Sequence, residues 1–363
     1  MQDEQYHVLT ASQKGHICCS YLFSTSIICT GEVMKITVVG AGAWGTTLAG
    51  LVADKGIPTS LWVREAELAA IIKETSVNSW FLPEVKLPET LAVSSDLTES
   101  LNDASYVLMA VPCQFLRPIL GHMRTCLTPN PVIVCCSKGI EIDSLKPMSG
   151  VVHDELGDLA PRYAVLSGPS FAREVSQKLP TAVTLGTADP DLGTKLQNVL
   201  STEYFRVYLS QDYRGVELGG ALKNVMAIAT GISDGLEFGA NARASLITRG
   251  LAEMSRLGES LGANAQTFMG LSGLGDLVLT CTGDLSRNRQ VGLRIGRGES
   301  LDFIIQSMHA VAEGVKTSEA VHALGHRAGI ELPITDQVYS MLYAGKDPKH
   351  AVRELMTRTL KEE

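Results

Sequence analysis

The sequence predicts an α/β domain with a largely parallel sheet, followed by an all-α domain. Two observations carry this. From Lys35 to about residue 210, short β-branched runs alternate with helical patterns, the signature of βαβ units. After FRVYLS, which ends at Ser210, such runs stop and long helical patterns take over. A third detail agrees. The runs VLMAV and VIVCC are apolar throughout, as in parallel strands covered on both faces.

Residues 1–33 read differently from the rest. The stretch ICCSYLFSTSIICT is moderately apolar, but Asp3 and Glu4 spoil the basic start of a signal peptide and no clear cleavage site follows. Met34 stands directly before KITVVGAGAWG. The expectation is an extension at 1–33 outside the native fold, with Met34 as the physiological start. Strands are expected at 35–39, 59–63, 106–110, 132–135, 163–166 and 182–185. Helices are expected between them at 46–55, 115–124 and 191–200. Further helices are expected at 216–230, 242–261, 301–307, 317–328, 336–343 and 352–360. The domains are then 34–210 and 211–363. No internal repeat interrupts them.

Composition bounds the function. Of 363 residues, 45% are hydrophobic and 19% charged, which favours a well-cored globular chain. A net charge of −8 argues against a nucleic-acid binder, so an anionic ligand must be held by a few placed cations. The eight cysteines form no CxxC pair or metal-ligand spacing, and Cys18/Cys19 and Cys135/Cys136 are adjacent. They read as reduced thiols of a cytoplasmic protein. No apolar run approaches the roughly 20 residues of a membrane span.

The segment GAGAWG matches GxGxxG, follows the apolar strand at 35–39 and opens a helix. Gly40 permits the tight turn, Gly42 the approach of a pyrophosphate, and Gly45 helix–strand packing. The expectation is a dinucleotide site; the alternative is a glycine-rich turn that binds nothing. Where an NAD site usually offers an acid to the ribose, this chain has Arg64 followed by Glu65. Arg64 favours the 2′-phosphate of NADP(H). The alternative is NAD(H), with Arg64 a loop residue and Glu65 on the hydroxyl. Asp54 lies within the helix and fits less well. Val111-Pro112 is a strand-to-helix turn, read equally as a cofactor edge or a surface turn.

Lys138 ends VIVCC with no charged neighbour between Thr125 and Ile140, at the strand end where such folds bind ligands. The alternative is a surface lysine. Lys223 is the only charge between Leu218 and Ser233, and Gly219, Gly220, Met226 and Ala227 are its helix neighbours. No local carboxylate pairs with it. A desolvated lysine titrates nearer neutrality and suits proton donation to a carbonyl. The alternative is a lysine snorkelling at a helix seam. Asp276, after SGLG, either caps a helix or orients Lys223. Ser286, Arg287 and Asn288 supply a hydroxyl, a forked cation and an amide, a candidate phosphate cradle. Arg249, Glu253, Arg256 and Glu259 recur at helical spacing and read as a solvated, salt-bridged face.

Together GAGAWGT, SKGIE, SGPSFA, GGALKNV, FGANARASLITRGLAEM, GLGDLVLTCT and SRNR closely resemble the bacterial NAD(P)-dependent glycerol-3-phosphate dehydrogenases, over Met34 to about Arg358. The resemblance implies a Rossmann-type domain followed by a helical domain like the C-terminal domain of 6-phosphogluconate dehydrogenase. It implies reversible reduction of dihydroxyacetone phosphate to sn-glycerol 3-phosphate by direct hydride transfer, feeding glycerophospholipid synthesis. In that frame Lys223 is the proton donor and acceptor, and Lys138 and Asp276 set the local field. Gly168, Ser170, Lys138, Lys223, Asp276, Ser286, Arg287 and Asn288 match substrate positions. Ala43, Trp44, Arg64, Lys138, Ala172, Arg287, Val311 and Glu313 match dinucleotide positions. Asn224 and Thr280 fall where relatives have polar groups. Ala43 departs from the pattern, since many relatives carry a hydroxyl there. NADP(H) is expected before NAD(H), with no metal, no nucleic acid, no membrane insertion and a homodimer as the candidate assembly. Two rivals are a dinucleotide-sensing module without chemistry, which isolated Lys223 opposes, and a dehydrogenase of hydroxy acids or sugar-acid phosphates. For the second, SRN favours a phosphate over a carboxylate.

Overall fold

In the computed structural model the described residues are 34–308 and 312–360. The expectations at residues 1–33 and at Val311 lie outside them. Among the described residues ten strands form: β1 (Ile36–Val39), β2 (Thr59–Trp62), β3 (Val77–Asn78), β4 (Leu82–Lys86), β5 (Ala92–Ser94), β6 (Tyr106–Met109), β7 (Val132–Cys135), β8 (Arg162–Ser167), β9 (Thr181–Gly186) and β10 (Phe205–Ser210). Eight of them make one sheet of order β10-β9-β8-β7-β6-β1-β2-β5, and β3 pairs with β4 apart from it. All neighbours in the large sheet run parallel except β8 and β9. β1 and β2 are buried along their whole length because helices cover both faces.

Helices α1 (Ala43–Ala53), α2 (Ala66–Thr75), α3 (Leu97–Leu101), α4 (Leu116–Met123), α5 (Met148–Leu156), α6 (Ala172–Ser176) and α7 (Pro190–Leu200) connect or flank the strands. The sequence reading left 77–94 unassigned. Its strands are short, and Pro83 and Pro88 interrupt any alternation, which edge strands tolerate. Chain order reverses between β1 and β6, so the carboxyl ends of β1, β6, β7 and β8 share one rim at the switch point.

The helical part contains α8 (Tyr213–Gly235), α9 (Gly239–Ser260), α10 (Ala265–Phe268), α11 (Asp276–Thr282), α12 (Arg287–Gly296), α13 (Leu301–Ser307), α14 (Glu313–Ala328), α15 (Pro333–Tyr343) and α16 (Pro348–Met356). α8 is buried on every side from Gly215 to Ser233, as expected of a central helix. It starts earlier than the sequence expectation because Asp212 caps it, accepting from the Gly215 N–H at 3.0 Å, and it runs on to Gly235. α8 and α12 cross through glycines. A Cβ at Gly231 would overlap the Arg289 carbonyl oxygen, and one at Gly292 the Ile228 carbonyl oxygen.

One expectation is corrected here. Arg249, Arg256 and Glu259 are exposed, but Glu253 turns inward and is 2% exposed. It accepts from the Ile334 N–H (2.6 Å), the Thr335 N–H (3.2 Å) and the Thr335 hydroxyl (3.2 Å). Those donors open α15, where Leu332 offers no side-chain cap and Pro333 has no N–H. A carboxylate at a helix start is favourable, although burial pushes the Glu253 carboxyl up to about 7. Helical spacing alone did not distinguish it from its solvated neighbours.

Candidate active site

The glycine turn after β1 is tight at two positions and open at the third. Gly40 has φ +111°, and a Cβ there would stand 2.6 Å from the Ala110 carbonyl oxygen. A Cβ on Gly45 would overlap the Gly40 carbonyl oxygen. Gly42 by contrast faces open space, with nothing near its Cβ position. It is the N-cap of α1, which has no side-chain cap and no acid in its first turn. Ala43 and Trp44 form that first turn, so its N–H groups are available to a pyrophosphate. These features fit a nicotinamide dinucleotide. Ala172 opens α6 and its carbonyl accepts from the Thr47 hydroxyl of α1 at 3.2 Å. Val111 packs on the Gly40 turn.

Arg64 follows β2 at the same rim. Its side chain is 69% exposed and ion-pairs with Glu65, the Nε reaching Oε1 at 2.7 Å. The two residues read as rivals in the sequence are therefore partners in the structure.

The second feature is a buried charge cluster. Asp276 is 1% exposed and holds both lysines: Lys138 Nζ donates to Oδ2 at 2.7 Å and Lys223 Nζ to Oδ1. Lys223 also donates to the Thr280 hydroxyl at 2.8 Å. Lys138 donates to the Gly168 carbonyl at 3.3 Å, and the Ser170 hydroxyl to the same oxygen at 3.0 Å. Burial drives the Lys223 ammonium down to about 8, although the Asp276 carboxylate pulls it up. Burial would raise Asp276, yet the two lysines hold it below the usual carboxylate range. Capping does not describe Asp276. A π-turn at Leu271–Gly275 precedes it, Gly275 occupies the cap position, and its carboxylate points to the lysines. Such turns recur at functional sites. Gly219 and Gly220 present a flat face of α8 that other parts of the protein fill. A Cβ on Gly219 would stand 2.6 Å from the Ser272 carbonyl oxygen, and one on Gly220 would overlap the Ser167 hydroxyl.

Ser286 caps α12, accepting from the Arg289 N–H at 3.2 Å. Arg287 is exposed at that helix start, whereas Arg289 is buried against Asp234 (2.7 Å). The Asn288 side-chain Oδ1 accepts from the Gly314 N–H at 2.9 Å, and Asn224 is buried against the same glycine. Glu313 opens α14. Burial raises its carboxyl, and Arg287, Lys138 and Lys223 pull it back. The structure thus gathers Lys138, Gly168, Ser170, Lys223, Asp276 and Thr280 directly, with Arg287 and Glu313 within electrostatic reach. Arg64 stands apart. Sequence reasoning missed Ser167 and Thr317, whose buried hydroxyl oxygens have no partner among the described residues. Thr317 lies four residues from Glu313, on the same helix face, and that spacing was the available signal.

Comparison with known proteins places the chain in a family. Residues 35–193 match the family model for the NAD-dependent glycerol-3-phosphate dehydrogenase N-terminus, and residues 212–353 the model for its C-terminus. A glycerol-3-phosphate dehydrogenase (NAD(P)+) of Solidesulfovibrio magneticus is 57% identical over 330 residues, covering 91% of this chain and 100% of the relative. The crystal structure of glycerol-3-phosphate dehydrogenase from Coxiella burnetii superposes with a TM-score of 0.86 at 42% identity, covering 90% of this chain and 99% of that one. A D-mandelate dehydrogenase complex with NADH, 14% identical with a TM-score of 0.58, shares the fold.

Proposed function

The chain belongs to the NAD-dependent glycerol-3-phosphate dehydrogenase family, and from that premise we propose that it interconverts dihydroxyacetone phosphate and sn-glycerol 3-phosphate with a nicotinamide dinucleotide. The observation that carries this reading is the Lys138–Asp276–Lys223 cluster, buried beside the rim that bears the glycine turn.

A bound dinucleotide supplies the hydride for the C2 carbonyl. Gly42 and the first turn of α1, with Ala43 and Trp44, hold its pyrophosphate; Ala172, Glu313 and Arg287 border it. Lys223 donates the proton to the carbonyl oxygen on reduction and removes it on oxidation. Asp276 orients that ammonium, with Thr280 as a second acceptor. Lys138 adds a cation, so two lysines and one carboxylate leave one positive charge for an anionic substrate. Gly168 and Ser170 form one wall. Arg287, aided by Ser286, Asn288 and the positive end of α12, holds the phosphate. The sheet-bearing part, 34–210, carries the cofactor and the helical part, 211–363, the proton donor. We assign a preference for NADPH over NADH to Arg64, tempered because the 2′-phosphate must compete with Glu65.

The test is oxidation of NADPH or NADH by the purified chain. Dihydroxyacetone phosphate should support it, while dihydroxyacetone, lacking the phosphate, should not. Equal rates with the two would remove the phosphate from recognition. No rate with either would overturn the reading.

A further inference from the structure

We propose that His322, His326 and Asp336 bind one divalent transition-metal ion, of the zinc, nickel or cobalt class, which ties α14 to α15. One ligand atom from each residue falls within 4.8 Å of the others. His322 Nδ1 stands 2.9 Å from Asp336 Oδ1, and His326 Nε2 stands 3.9 Å from the same oxygen.

The chain builds this arrangement locally. The two histidines are four residues apart on α14, so they lie one above the other on a single face. α14 ends at Gly329, whose φ of +68° turns the chain, and α15 follows within a few residues. Asp336 in the first turn of α15 is thereby returned to the histidine face. The His322 ring stacks on Tyr339 of α15, centroids 3.9 Å apart and planes 8° apart, which fixes the direction of its nitrogens. The His326 ring lies edge-on to it at 4.5 Å.

Donors held at about 2.0–2.2 Å by a tetrahedral ion stand roughly 3.4 Å apart. The observed separations bracket that figure, and His326, with a side chain 67% exposed, can rotate to close the wider gap. Two imidazoles and a carboxylate select borderline ions over magnesium or calcium, which prefer all-oxygen sites. A proton shared by His322 and Asp336 would use two residues. The approach of His326 to the same oxygen is what a third ligand adds. None of the three belongs to the lysine cluster, so this proposal does not depend on the proposed reaction.

The test uses the full chain without an affinity tag, stripped with EDTA and titrated with zinc by calorimetry while the thermal midpoint is followed. One equivalent should bind saturably and raise the midpoint, and magnesium should do neither. H326Q, at a position whose side chain is 67% exposed, and D336N should each keep the parent's far-ultraviolet dichroism and weaken binding at least about tenfold. Cobalt should give a ligand-field spectrum without a thiolate charge-transfer band. No saturable binding, unchanged affinity in H326Q, or a thiolate band would each overturn the proposal.

Discussion

At the residue scale the proposed chemistry rests on charges placed where the chain has few others. Lys223 and Lys138 were legible because each is isolated in an apolar stretch, and Asp276 because it follows a glycine-rich turn. Their meeting was not legible, since Lys138 and Asp276 are 138 positions apart. The proton donation proposed for Lys223 has a definite pH signature. In the free enzyme the ammonium titrates near 8. Reduction needs the protonated form, so kcat/KM for dihydroxyacetone phosphate should hold below that pH and fall as pH rises through it. Oxidation needs the neutral amine and should show the opposite limb. Lys223→Ala should lower kcat at least about 100-fold and abolish both limbs. A pH profile of the variant that keeps the parent's limbs would assign them elsewhere. Arg64 makes a different prediction, because Glu65 already holds it. Glu65→Gln should raise the ratio of kcat/KM for NADPH over NADH, and Arg64→Ala should lower it. The gaps should shrink at high salt because the site is exposed. Ratios that do not move in either variant would make the pair a bystander to cofactor choice.

At the element scale, strands that read as continuous apolar runs were legible, and so were the long helices. Their ends moved by a few residues because caps decide ends. The pieces at 77–94 were not legible because their strands are short and interrupted by Pro83 and Pro88, and the π-turn before Asp276 was not because it packs against Gly219 of α8, far away in sequence. Glu253 is the instructive case. Its spacing matched a solvated face, but the open end of α15 claimed it. The α8–α12 crossing yields a stability prediction. Gly292→Ala forces a methyl into the Ile228 carbonyl and should cost about 1–3 kcal/mol of unfolding free energy in urea titration. Gly121→Ala in α4 is the control. Its Cβ would meet only Glu155 Oε2 at 3.8 Å, so it should be neutral or stabilising by about 0.5–1 kcal/mol. Equal losses in both variants would show that helix crossing distance is not the cause.

At the scale of the whole molecule, the sheet and the helices are tied by polar links as well as by packing. Asp276 grips Lys138. Glu217 of α8 accepts from the Ser149 N–H and hydroxyl and from the Tyr163 hydroxyl, at 2.8, 2.7 and 2.7 Å. The three tryptophans, Trp44, Trp62 and Trp80, all lie in the sheet-bearing part. Their fluorescence reports that part, while far-ultraviolet dichroism is weighted to the helices. The two signals should trace one urea transition, and separated midpoints would mean that the parts unfold independently. The glycine seam carries a last consequence, in time rather than energy. Where the backbones of α8 and α12 meet without side chains between them, solvent has no path to the central amides of α8 short of opening the whole unit. In deuterated water the peptide covering residues 216–233 should therefore be among the last to gain mass. Its exchange rate at neutral pH would then serve as a clock for global opening.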